Sequence, residues 1–403
     1  LALLPFMAAL PGCGADDYSE SMIYPVRVDP VIIGVDGTEY GEPDRPGQLP
    51  LFAMKDLEDI RNPLYTDFHN KESKFKLVDT TKISAGDHDE LQEGLESVFG
   101  TPANPKLDLI TDETRQLLKL DRATLKEGSR LYRLYCLQCH GLTGDGRGPT
   151  AKWVNPHPRD YRPGIFKFQS VDQATDGNTR PPRREDLVRT INEGVEGTAM
   201  QSYNMLSDAE INTIVSYVMH LSIRGEVEVL VFKKLSLDEK TGLLTMPAGS
   251  TITTLIRGKR DNGGKVREVA ERWREAQDED KKIQPGPYKP GTSESIQNGH
   301  DIFIGRGPVT GGCTQCHYDF GRKSLFKFDE WATMVRPRDL TKSVYRGGRR
   351  PVDLYYRIHS GINGSGMLRQ GKNLTSDQIW DLVNFIRALP YPEMRRDLEP
   401  KID

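Results

Sequence analysis

Three stretches of the chain place apolar residues on one face of a helix. In Asp121–Tyr135, Leu125, Leu131 and Leu134 are the apolar positions. Ser207-Asp208-Ala209-Glu210 reads as a capping box, in which the serine hydroxyl and the glutamate carboxylate each take a backbone N–H at the start of a helix. Ile211, Ile214, Val215, Val218 and Met219 then form the buried stripe. Thr375-Ser376-Asp377-Gln378 repeats that signal before Ile379, Leu382, Val383 and Ile386, and Pro390 ends the second helix. Between the two, Val227–Phe232 and Ser250–Ile256 read as short strands. A charged helix is predicted over Val266–Glu279, followed by a linker of prolines and glycines over Gln284–Gly291. The pattern is mainly α, and 403 residues suggest two or three domains.

The similarity of the two capped helices extends backward along the chain. Pro158-Arg159-Asp160 returns as Pro337-Arg338-Asp339, and Gly194-Val195-Glu196-Gly197-Thr198-Ala199-Met200 returns as Gly361-Ile362-Asn363-Gly364-Ser365-Gly366-Met367. Ahead of each copy stands a cysteine frame, Cys136-Leu137-Gln138-Cys139-His140 and Cys313-Thr314-Gln315-Cys316-His317, which together use four of the five cysteines. Two cysteines three apart present both sulfurs to one side, with a histidine directed at the same space. That suits two thioether bonds to the vinyl groups of haem, with the imidazole as iron ligand. A thioredoxin-like pair would need a βαβ context that neither flank has. A zinc site would need four ligands, and each cysteine pair is already followed by its own histidine. Covalent haem c at both frames is therefore the expectation. His140 and His317 are then the proximal ligands, and Met200 and Met367, in matching glycine-rich loops, the sixth ligands. Met205 and Met334 have no partner in the repeat and read as core.

Charge and the chain start add an address. The opening apolar run before Cys13 is too short to span a bilayer and reads as the remnant of a signal peptide. Leu10-Pro11-Gly12-Cys13 resembles the bacterial lipobox, which makes Cys13 the expected lipidation site. No later segment is apolar enough for a transmembrane helix. An exported protein on the periplasmic side, anchored through lipid at Cys13, is the resulting expectation. Residues 14–115 hold 22 acidic against 10 basic side chains, a net of −12 in a chain whose total is −3. That acidic stretch reads as an extended spacer, partly ordered against the haem domains, and nothing in it suggests a nucleic-acid partner.

With these residues in place, the chain resembles dihaem c-type cytochromes with two class I-like domains, similar to the cytochrome subunits of haem-copper oxidases. The resemblance rests on Cys136, Cys139, His140 and Met200, and on Cys313, Cys316, His317 and Met367. The run from His140 to Pro149 also matches, and the resemblance implies that the Pro149 carbonyl accepts the proximal imidazole N–H. Asn155–Asp160 likewise resembles the family's proline-rich loop over the haem. Tyr318-Asp319-Phe320-Gly321 follows His317 instead, with no proline at the matching place, which puts the support of His317 in question. The implied fold is two cytochrome c-like helical haem domains, 116–223 and 291–392. A mixed insertion at 224–290 joins them, a mostly irregular acidic segment at 13–115 precedes them, residues 1–12 are the signal remnant and 393–403 a tail. The implied function is a membrane-tethered relay of single electrons in a respiratory chain, between redox proteins such as a quinol-oxidising complex and a terminal oxidase. No catalytic residue is expected. A dihaem peroxidase-like enzyme, with His157 or His359 as the candidate exchangeable histidine, and a subunit of a larger oxidase or dehydrogenase are the alternatives.

Overall fold

The computed structural model describes residues 17–29, 31–34, 75–172, 180–309, 312–328 and 334–395. Cys13 and the signal remnant lie outside the described residues. The described chain is mainly helical, with three two-stranded antiparallel pairs: Val31–Gly34 with Phe75–Val78, Ser236–Leu237 with Leu244–Thr245, and Lys327–Phe328 with Met334–Val335.

Both halves are built on one crossing of helices. In the first, helix Arg122–Tyr135 starts where the Asp121 carboxylate accepts the Thr124 N–H at 2.9 Å. It packs across helix Asp208–Phe232, which opens on the Ser207/Glu210 capping box. In the second, helix Ser293–Phe303 packs across Ser376–Ala388, which opens on the Thr375/Gln378 box. A glycine sits at each crossing. A Cβ at Gly128 would stand 2.7 Å from the Thr213 carbonyl oxygen, and one at Gly299 would run into that of Asp381. Backbones come this close only where a side chain is missing. The expected stripes Ile211, Ile214, Val215, Val218 and Met219, and Ile379, Leu382, Val383 and Ile386, are all buried. Leu134 is not: it is exposed, because Tyr132 takes the inward position of the last turn. Met205, expected in the core, is 68% exposed on the turn before the closing helix, where Leu206 packs inward instead. The side chain of Met334 lies outside the described residues.

The two expected strands of the insertion are helical. Val227–Phe232 continues the closing helix for nearly two more turns. Its β-branched run suggests a strand, but helices Ile252–Arg257 and Gly264–Glu275 on one side and segment 17–29 on another cover it. Tertiary packing then overrides local propensity, and a helix covered all round has no polar face to show a period. Ser250–Ile256 is a helix capped by Thr251, with Ile252 and Ile256 buried one turn apart. The charged helix ends at Glu275, earlier than expected, with Val266, Val269, Ala270 and Trp273 inward.

The first core also takes in Leu91, Leu95, Val98 and Phe99 of helix Ala85–Phe99, so this part of the acidic segment is built into the same packing unit. At its centre the His220 imidazole lies 3.0 Å from the Phe99 carbonyl and 2.9 Å from that of Lys106. Burial pushes its pKa down to about 4 and keeps it neutral. A second core gathers Ile302, Phe303, Phe320, Leu354, Ile358, Trp380 and Phe385. Among the described residues no helix is long and apolar enough to cross a membrane.

The helix crossings make a stability prediction. Gly299→Ala should destabilise the second half by about 1–3 kcal/mol through overpacking. Gly86→Ala, in a helix where an added Cβ meets nothing within 4 Å, should instead gain up to about 1 kcal/mol. Denaturant midpoints of the two variants must move in opposite directions; a shared direction rules out the crossing as the cause.

Candidate functional site

The two cysteine frames fold alike. The Cys136 carbonyl accepts the N–H groups of Cys139 at 3.2 Å and His140 at 2.9 Å. The Cys313 carbonyl accepts those of Cys316 at 3.2 Å and His317 at 2.9 Å. Each frame is thus one tight turn carrying two sulfurs and an imidazole. Burial pushes the Cys136 thiol up to about 12 and the Cys313 thiol up to about 11. A dithiol redox centre needs the opposite shift, toward thiolate. Among the described residues no group of three or more His, Cys, Asp and Glu side chains is placed to hold a metal ion.

Each imidazole is held by a backbone carbonyl. His140 Nδ1 donates to the Arg159 carbonyl at 3.0 Å, and His317 Nδ1 to the Arg338 carbonyl at 3.2 Å. An imidazole facing a carbonyl must carry its proton there, which leaves Nε2 as the ring's bare nitrogen. Burial pushes the pKa of His140 down and favours this neutral form. The expectation that Pro149 supports His140 is therefore corrected. Pro149 is exposed, and its loop instead caps the short helix that carries the frame. Gly146, Gly148 and Thr150 give their N–H groups to the carbonyls of His140, Cys139 and Gln138.

The supporting carbonyl belongs to the middle residue of the Pro-Arg-Asp repeat, and the aspartate fixes it. Asp160 Oδ1 accepts the Arg162 N–H at 3.0 Å, and Asp339 Oδ1 accepts the Thr341 N–H at 3.0 Å. Both close a side-chain turn immediately after the carbonyl. The doubt over His317, raised by its missing proline, is answered by this second copy of the support.

The two methionine loops also match. Thr198 N and Oγ1 bond to the Val195 carbonyl at 3.1 and 2.7 Å, and Ser365 N and Oγ bond to the Ile362 carbonyl at 3.1 and 2.7 Å. The Val195 N–H then reaches the Met200 carbonyl at 2.9 Å, and the Ile362 N–H that of Met367 at 3.2 Å. Gly194 and Gly361 open these loops at φ near +70°, and a Cβ there would strike the methionine carbonyls.

One cavity brings the first set together. Cys136, Cys139, His140 and Met200 line it with Tyr161, Phe166, Leu187, Ile191 and Val218, and Pro156 to Arg159 form part of its wall. His157 lines it too, with its own Nδ1 turned to the Pro158 carbonyl at 3.4 Å. In the second half Cys313 and Met367 both pack against the second core. His359 stacks on Tyr355 and lies against Gly371. The lining matches a haem: an apolar slot with a neutral imidazole, a thioether sulfur and two cysteines.

Residues 123–218 match the family model described as cytochrome C oxidase, cbb3-type, subunit III. That stretch runs from the helix before the first frame to the closing helix, and it is a c-type cytochrome domain, a haem electron-transfer unit. No curated protein matches the chain. Among solved structures, a chain of the reducing HAO-like protein complex of Kuenenia stuttgartiensis is 23% identical, with a TM-score of 0.47. The alignment covers 66% of this chain and 96% of that one.

Proposed function

We propose that the protein is a dihaem electron carrier. One covalent haem c would be held by Cys136 and Cys139 with His140 and Met200 as iron ligands, and a second by Cys313 and Cys316 with His317 and Met367. The observation that carries this reading is the duplicated hydrogen-bond frame: cysteine turn, carbonyl-held imidazole and methionine loop, bond for bond in both halves. Haem bound in this way supplies one-electron redox chemistry, and His/Met ligation raises its potential. The chain's part is to hold both axial groups in one orientation, since the carbonyl of Arg159 or Arg338 keeps each imidazole from turning. A haem held by both an imidazole and a thioether sulfur would leave no open iron position for a substrate, which favours the carrier reading over an enzyme. Export, a lipid anchor at Cys13 and redox-protein partners on either side, a quinol-oxidising complex and a terminal oxidase, complete the proposal.

Acid–acetone extraction of the denatured protein should leave two haems per chain on the polypeptide, measured by pyridine haemochrome. One haem per chain, or haem in the extract, overturns the dihaem reading.

Met200→Ala and Met367→Ala should each abolish the sulfur-to-iron absorption of one site and lower that site's potential, with the haem still attached. A Met367→Ala protein whose spectrum and potential match the parent would show that Met367 is no ligand.

Cys13→Ser should move the protein from the membrane to the soluble fraction with its haem content unchanged. Acyl chains contribute about 0.8 kcal/mol per buried methylene, and salt washing does not undo that. An exported variant that stays on the membrane would place the anchor in a partner subunit.

A further inference from the structure

The described lining of the first cavity carries three cationic side chains. They are Arg159, Lys167 and Arg346, and no Asp or Glu is among the described lining residues. Arg346 comes from the other half of the molecule. Its Nε is buried without a hydrogen-bond partner, and no carboxylate pairs with it among the described residues. Burial pushes its pKa down, and the positive charge of Arg338 adds to the shift. A guanidinium that is half desolvated and faces like charge is costly unless an anion completes it.

The position is also built. The Arg346 carbonyl takes a hydrogen bond from the buried Arg357, which donates to the Gly348 carbonyl as well, at 2.6 Å. Gly347, the next residue, packs directly on the ring of Phe168, itself part of the cavity wall. The repeat adds an independent observation. Lys167 lies seven residues after Asp160, and Arg346 seven after Asp339. The two are counterparts in the duplicated frame, and both reach the same cavity.

We infer that Arg346 is the counter-ion of a haem carboxylate in the first cavity, donated across the boundary by the second half. Haem carries two propionates, either of which would complete Arg346, since a guanidinium binds a carboxylate through paired N–H groups. This rests on the reading of the first frame as a haem site and does not require the second haem. The consequence is that the potential of the first site depends on the second half being docked. A fixed positive charge disfavours the ferric state, and it holds the carboxylate ionised.

The test is a redox titration of the holoprotein across about pH 5 to 8, a range that covers a carboxyl released from its counter-ion. The first-site wave is the one that moves in Met200→Ala. Arg346→Met should lower that wave and make it more pH-dependent, as the carboxylate takes up a proton on reduction. Arg346→Lys should restore most of both effects. Arg349→Gln removes an exposed arginine that pairs with Glu196 at the same boundary, and it should leave the wave in place. An unmoved first wave in Arg346→Met overturns the inference. So does an equal shift in Arg349→Gln, which would trace the effect to a loosened boundary. If no wave answers to Met200→Ala, the haem ligand reading itself fails, and the inference falls with it.

Discussion

The hydrogen bond from each histidine Nδ1 to the arginine carbonyl of a Pro-Arg-Asp turn orients the chemistry of both halves, and much of the first half is arranged to keep that carbonyl still. Leaving a buried imidazole N–H without an acceptor costs about 1–3 kcal/mol, so the carbonyl cannot drift. In the first half the aspartate of the turn does more than close it. Asp160 also binds the buried guanidinium of Arg162, at 3.0 Å to Nε, and Arg162 reaches Asp29 at 2.9 Å. Burial alone would raise the Asp29 carboxyl; Arg162 and Arg27 outweigh it and hold the group well below the usual carboxylate range. Removing one member of such a buried set typically costs about 3–5 kcal/mol, because an unpaired charge remains. The segment at 17–29 is therefore wired to the turn that supports His140.

The second half shows which parts of the frame can change. After His140 a glycine-rich loop caps the carbonyls of its short helix, and three N–H groups do that work. After His317 the chain instead makes a tight turn, Tyr318–Gly321, and Phe320 points into the second core against Phe303 and Phe385. A hydrophobic anchor replaces a set of caps. The imidazole is unaffected, since its acceptor lies in the Pro-Arg-Asp turn and not in this loop. The loop and the support are thus separate devices, and only the second is common to both halves.

That separation explains what the sequence revealed and what it hid. The capping boxes at Ser207 and Thr375, the stripes behind them and the cysteine frames were legible because each is a local pattern with a fixed period or spacing. The Pro-Arg-Asp repeat was visible as a repeat, yet its role was not, because a backbone carbonyl leaves no mark in residue type. Pro149 drew the role by resemblance, while the carbonyl that serves stands ten residues further on. Val227–Phe232 was misread for a different reason. A β-branched run buried on every side carries no alternation of polar and apolar positions, so its helical state is decided by the helices and the N-terminal segment packed around it. Arg346 was invisible for a third reason: its place at the first cavity depends on how the two halves meet, which no local window contains.

How they meet is itself a matter of backbone more than charge. The rim holds ion pairs, Arg350 with Glu193 at 3.8 Å and Arg189 with Asp353 at 3.7 Å. The exposed Arg350–Glu193 pair contributes little, while Asp353 is buried and Arg349 also pairs with Glu196 across the same boundary. Firmer contacts come from the chain between the halves. Asp172 N–H bonds to the Lys281 carbonyl at 2.7 Å and Ile283 N–H to the Ser170 carbonyl at 2.9 Å, while the Ile283 side chain is buried in the second core. One residue is thus stitched to the first half by its backbone and packed into the second by its side chain. Also at the boundary, Gly197 of the Met200 loop lies against the guanidinium of Arg338, whose carbonyl holds His317. A Cβ at Gly197 would meet the tip of the Arg338 side chain at 2.5 Å, so the loop bearing one methionine and the turn supporting the other histidine lie against each other. The two frames therefore meet through direct contacts as well as through the chain that joins them.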